Sequence, residues 1–202
     1  MRGISAKTYP LPAFAGAGGL LGALAAAGIG GPLPMTTSAA LAGAMSAIAV
    51  EDYRRFRVPD SWNLFAAAAG LFSVWLAGSS VGSDPFAALA WAVRDGALCG
   101  GALLFVREAF LRLRAVDGLG LGDVKLAATG GIWLGWQGFP NAIMLAAASA
   151  LVYVALCRSL GGGWPRERKI PFALHLAPAI WLVWYFGQLS PFRFGPAGAM
   201  PF

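Results

Sequence analysis

"GLGLGDVKLAATGGIWLGW", residues 118–136, joins a glycine-rich polar entry to an apolar run, with Asp123 and Lys125 at the junction. The run reads as a membrane span over 122–138, close to the roughly 20 residues that a helix needs to cross a bilayer. The rest of the chain has the same character. Its 202 residues are 58% hydrophobic and only 12% charged, against roughly 25% charged in an ordinary soluble domain. Mean hydropathy is +0.66. These values exclude an ordinary soluble enzyme and point to an all-α, polytopic transmembrane helix bundle of about six to seven spans. The candidates are 11–31, 33–52, 61–79, 86–106, 122–138, 139–157 and 171–189. No repeat or shift in composition divides the chain. It is expected to form a single membrane-embedded domain over 1–202, with an extra N-terminal span in 1–32, a core over 33–189 and a short tail over 190–202.

The net charge of +6 does not indicate nucleic acid, because the basic residues are scattered between apolar runs and are not gathered on one face. Their placement gives topology instead. With the N-terminus in the cytoplasm, 13 of the 15 Lys and Arg residues fall in inside segments, leaving Arg94 in a span and Arg193 outside. That asymmetry is what the positive-inside rule requires. Residues 1–31 also have the basic start and apolar run of a signal peptide, but the run exceeds the 7–15 residues of a typical signal core, so a retained helix is expected. Cys99 and Cys157 stand 58 positions apart with no CxxC, which indicates neither a disulfide framework nor a zinc ribbon.

A carboxylate near a bilayer is costly and is by default a functional candidate. Of the nine acids, Asp84 and Glu167 lie in loops, and Glu108 has the i,i+4 spacing of a surface pair with Arg112. Arg94 and Asp95, in "AWAVRDGALCGG", become a structural pair if the fourth span starts near Asp95 and leaves residues 86–93 as an interfacial helix. Two clusters remain, Glu51/Asp52/Asp60 and Asp117/Asp123, and the topology brings both to the cytoplasmic boundary. Gly118, Gly120 and Gly122 allow close backbone approach there. Two close carboxylates in a partly dry site resist joint ionisation and share a proton. The charged member then takes a proton from water while the other polarises a peptide carbonyl, which is aspartic proteolysis. Neither DTG nor DSG, the turns of the soluble aspartic proteases, occurs, and a bare GxGD is short enough to arise by chance among 28 glycines.

"DYRRFRVPD", residues 52–60, resembles the first aspartate motif of the type IV prepilin peptidases, an Asp followed by polar or basic residues and then Ile/Leu-Pro-Asn/Asp. The 118–136 stretch is similar to their second motif, GxGDxKL with a glycine-bearing helix after it. "RERKIPFALHLAP", residues 166–178, is similar to their late Ile-Pro-Phe segment. The resemblance covers about residues 45–185, in order. It implies a membrane aspartic endopeptidase that cuts the basic leader from prepilins or pseudopilins at the cytoplasmic face of the bacterial inner membrane. Asp52 and Asp123 match the two catalytic aspartates. Gly120, Gly122, Lys125, Pro59 and Asp60 support the motifs, and no cofactor or metal is implied. Without the motif, Asp52 cannot be chosen over its neighbour Glu51. Asp60 also reads as an N-cap of the next span, Lys125 as a snorkelling lysine, Asp117 as a loop or helix-entry residue, and His175 as a helix-packing histidine.

Two departures stand out. The paired CxxC motifs associated with N-methylation are absent, so the chain resembles the short, peptidase-only forms. Ala173 and Leu174 also follow Phe172 where Gly-Pro is common. The expected partners are a prepilin-type precursor and membrane lipid, and not nucleic acid. Acids in a small bundle also fit a proton-coupled transporter, although these acids cluster at one face and not at the midplane. An inactive subunit that binds secretion-system helices would share the motifs but show no turnover.

Overall fold

The apolar runs become six helices in the computed structural model, which describes residues 11–27, 32–81, 84–114, 119–159 and 170–189. They are α1 (Leu11–Ala26), α2 (Pro32–Arg55), α3 (Asp60–Val81), α4 (Pro85–Arg114), α5 (Leu121–Ser159) and α6 (Phe172–Leu189), with no strand among the described residues. Four stretches, Asp60–Ser79, Pro85–Leu113, Leu121–Ser159 and Phe172–Leu189, are long and apolar enough to cross a membrane. Large apolar side chains such as Leu20, Phe72, Phe105 and Leu151 point outward from the bundle, as lipid-facing surfaces do.

The expected span at 33–52 forms as α2 but is not among those four. Its surroundings explain this. Leu41, Ala44, Met45, Ala47 and Ile48 are essentially fully buried, so α2 meets protein and not lipid, and small residues serve it better than large apolar ones. A Cβ on Gly22 of α1 would stand 2.8 Å from the Ser38 carbonyl oxygen, and one on Gly43 of α2 would stand 2.8 Å from that of Ala15. The two helices therefore touch backbone to backbone. The Ser38 hydroxyl donates to the Gly22 carbonyl (2.8 Å) and accepts from the Trp181 indole (3.1 Å), tying α1, α2 and α6 together.

The expected spans 122–138 and 139–157 form one continuous element, α5, broken at Gly135 (φ 68°, ψ 166°). In a straight helix residues 130 and 139 would lie about 13.5 Å apart along the axis. Here a Cβ on Gly130 would stand 2.8 Å from the Phe139 ring, so the chain folds back at Gly135. The two passes exist as expected, with the reversal three residues earlier, at the glycine that can adopt those angles.

The fourth span also differs from the interfacial reading. α4 runs unbroken from Pro85 to Arg114, started by Asp84, whose carboxylate accepts from the Phe86 amide (2.9 Å) as an N-cap ahead of Pro85. Asp84 is therefore a cap as well as a loop residue. Asp95 is fully buried in mid-helix and paired to Arg94 (2.6 Å), whose guanidinium lies over the Trp91 ring.

Contacts between helices fix their register. α3 and the first pass of α5 run side by side, with the Thr129 hydroxyl on the Asn63 side-chain oxygen (3.0 Å) and the Trp133 indole on the Ala66 carbonyl (2.8 Å). α6 runs in the same direction, with Gly130 beside Ile180 and the Trp133 and Trp184 rings packed edge to face. α4 runs opposite, placing Asp95 and Cys99 against Gly131 and Gly100 against Val124 and Ala128. Together with α2, these directions bring the end of α2 and the starts of α3, α5 and α6 to one end of the bundle.

Candidate active site

Asp52 occupies the last turn of α2 and is only 6% exposed. Its Oδ2 accepts the Leu174 amide at 2.9 Å, and the Ala173 amide donates to it as well. Because α6 begins at Phe172, these are first-turn amides with no partner inside their own helix, at the positive end of the helix dipole. Glu51, next in sequence, pairs with Arg55 (3.4 Å). Helical position alone leaves the two acids open and the motif match selects Asp52; in the structure Asp52 lines the cleft and Glu51 is not among its lining residues.

Asp123 lies in the first turn of α5, half-buried, with its amide on the Gly120 carbonyl (3.1 Å) and the Gly120 amide on its carboxylate. Asp52 is near enough to act on it electrostatically. Both aspartates line one cleft of about 260 Å³, together with Phe56, Arg57, Val58, Asp60, Gly120, Leu121, Gly122 and Lys125. Every residue expected to support the motifs is in that cleft except Pro59, whose carbonyl accepts the Asn63 amide (3.1 Å) as α3 starts. A larger groove of about 540 Å³ along the outer face of α4, lined by Gly101, Phe105 and Leu113 among others, holds neither aspartate.

Several of these side chains have specific partners. Lys125 bonds Asp60 Oδ1 at 2.7 Å, joining α5 to the start of α3, so Asp60 serves this bridge in place of the expected N-cap. Both side chains are largely exposed, which limits the bridge to under about 1 kcal/mol. Glu108 pairs with Arg107 (2.9 Å) and not with Arg112, and Arg107 also holds the Leu119 carbonyl (3.1 Å) at the entry to the cleft. His175 packs between α5 and α6, Nδ1 on the Ser149 hydroxyl (3.0 Å) and its ring beside Tyr153. Asp117, Gly118 and Glu167 lie outside the described residues. No group of three or more His, Cys, Asp or Glu side chains suited to a metal occurs among the described residues.

The loop after α2 was not legible in the sequence. Its Phe56 adopts φ 53°, a left-handed conformation that costs a non-glycine residue about 1–2 kcal/mol, and it is exposed at the cleft. Its Val58 presses on α5: a Cβ on Gly122 would stand 2.9 Å from Val58 Cγ2 and 3.0 Å from its Cβ. A branched side chain cannot swing clear, so Gly122→Ala is expected to displace the loop and slow the site's chemistry by about ten- to a hundredfold. Adding Val58→Ala is expected to restore much of the rate, as measured by a double-mutant cycle.

The fold is thus a helical membrane bundle with a carboxylate from each of two helices lining one cleft at its end. Residues 39–155 match the type IV leader peptidase family, and the chain belongs to it. It is 33% identical over 186 residues to a prepilin leader peptidase/N-methyltransferase of Burkholderia pseudomallei, covering 91% of this chain and 56% of that protein. A protein of the same name from Dickeya chrysanthemi is 33% identical over 142 residues, covering 69% of this chain and 44% of that one. Leader peptidase HopD of Escherichia coli is 32% identical over 96 residues, covering 47% of this chain and 62% of that one. The chain thus spans about half the length of the first two. No solved structure matches it.

Proposed function

We propose that the chain is a membrane aspartic endopeptidase that removes the basic leader of a type IV prepilin or pseudopilin, with Asp52 and Asp123 as its dyad. The observation that carries this is the shared cleft: two acids from separate helices, one of them largely buried, line the same small space. In the reaction a water held between them attacks the scissile carbonyl, one carboxylate taking its proton while the other donates to the carbonyl oxygen. When the tetrahedral intermediate collapses, the C–N bond breaks and the first carboxylate passes its proton to the leaving nitrogen. The arrangement needs no metal or cofactor.

The cleft lies at a helix end, where the polar leader of a membrane-anchored precursor can reach it. The basic residues favour the cytoplasmic side of the bacterial inner membrane for this end and for the N-terminus. Residues 33–189 form the peptidase core; α1, in place of the full span expected over 11–31, is a shorter apolar helix that lies against α2 and is not among the four long enough to cross a membrane. The outward apolar side chains meet lipid. The sequence contains no CxxC, so the proposal is confined to cleavage and does not extend to methyl transfer.

Co-expression with each prepilin-type precursor from the same genome, read by gel shift and N-terminal sequencing, tests this. The expected product begins just after the basic leader, next to the precursor's apolar helix. Absence of a cut in every precursor would overturn the peptidase assignment and leave a binding subunit as the better account.

A further inference from the structure

Asp52 and Asp123 share a cleft but not equivalent surroundings. Asp123 receives the Gly120 amide, from its own helix entry. Asp52 receives the Leu174 and Ala173 amides from a helix 122 residues along the chain, and it is the more buried of the two. We infer that the Leu174 N–H is a positioning group of the site: it holds Asp52 as the charged member of the pair, making Asp52 the base that deprotonates water and Asp123 the member that donates to the scissile carbonyl. This rests on the dyad proposed above.

A backbone amide can only donate, and a donor stabilises a carboxylate over a carboxylic acid. Burial of Asp52 disfavours its charge, but two amides from the start of α6 oppose that while Asp123 receives only one, so of two carboxyl groups holding one proton between them Asp123 carries it. In the balanced sequence, Asp52 takes a proton from water through its carboxylate and Asp123 gives its own to the carbonyl oxygen. On collapse the C–N bond breaks, Asp52 protonates the nitrogen, and Asp123 recovers its proton from the intermediate's hydroxyl.

Other charged groups nearby are engaged elsewhere or sit at the rim. Glu51 pairs with Arg55, and Lys125 with Asp60. His175, next to Leu174 on α6, bonds Ser149. Arg57 lines the cleft from the exposed loop. None of them replaces the Leu174 amide on Asp52 Oδ2.

The feature belongs to this chain's own sequence. Where Gly-Pro follows Ile-Pro-Phe, proline at the second position has no N–H to offer, whereas Leu174 has one. A matched pair of variants isolates that hydrogen. Ala173→Gly with Leu174→Pro removes the N–H and keeps a first-turn residue that a helix tolerates, and Ala173→Gly with Leu174→Ala keeps the N–H and removes the same side chain. Leader cleavage by each is measured against pH in membranes, beside Asp52→Asn.

In the proline variant the acid limb of the rate profile is expected to move to higher pH by about one unit, the scale of one hydrogen bond to a charged group. In the alanine variant the limb stays at the wild-type position. A limb that moves equally in both, or in neither, overturns the inference and leaves the dyad intact. If Asp52→Asn still cuts, the dyad itself has failed. Should the proline variant not accumulate, the α-hydroxy analogue of leucine at 174, which replaces the N–H by an ester oxygen, gives the same comparison.

Discussion

Asp52→Asn and Asp123→Asn, each made alone, are expected to lower leader cleavage by about a thousandfold or more, the scale of a lost general acid or base. Asparagine keeps the size and shape of the side chain, so the effect reads proton chemistry and not packing. It cannot take a proton from water as Asp52 is proposed to do, nor give one to the scissile carbonyl as proposed for Asp123. Because the two act as one unit, the double variant should be little worse than either single one. Glu51→Gln separates the dyad from acidity at the end of α2 in general. Glu51 faces Arg55 outside the cleft, so this variant is expected to go on cutting. Cleavage of a co-expressed precursor, followed by gel shift with equal membrane levels of each variant, gives the comparison. Residual turnover near wild type in either asparagine variant would remove that residue from the dyad.

Gly135→Val is expected to be the most damaging substitution outside the cleft. At φ 68° and ψ 166° the residue occupies a region open in practice only to glycine, and holding another residue there costs about 1–3 kcal/mol. Gly135 is also buried, so a branched side chain adds overpacking of about 1–3 kcal/mol. The reversal at this glycine lets both passes of α5 pack on α6, Gly130 reaching Ile180 on one side and Ser149 reaching His175 on the other. Its loss should lower the thermal midpoint in detergent and the yield of folded protein. Gly101→Ala provides the opposite case. Gly101 lies within α4 with nothing near its absent Cβ, so alanine there should be neutral or stabilise by up to about 1 kcal/mol. Equal midpoints for Gly135→Val and wild type would show that the fold does not depend on the reversal.

The membrane bundle and the meeting of the two aspartates were legible because their signals are local. A span shows in the hydropathy of one window, and the order of spans fixes which ends share a face. By that route the clusters Glu51/Asp52/Asp60 and Asp117/Asp123 are expected at one boundary, and the motifs around them carry the resemblance to the family. The same approach misplaced details that depend on neighbours. Glu108 turned to Arg107 and not to Arg112, and Asp60 met Lys125 instead of capping α3. The proposed break before Asp95 is absent from α4. At each of these positions the spacing along one helix allows more than one local arrangement, and spacing alone does not rank them.

The sequence by itself determined that this chain is a helical membrane protein, because burial of apolar length and the sorting of basic charge are sums over consecutive residues, and its short motifs carried the resemblance to the type IV leader peptidases. Only the tertiary structure decided that the free amides of α6 close on Asp52, that Glu51 turns to Arg55, that Val58 seals against Gly122, and that α5 turns back at Gly135. The contacts between elements among these depend on the register between helices distant along the chain, which is set when side chains interlock and which no single window of sequence contains.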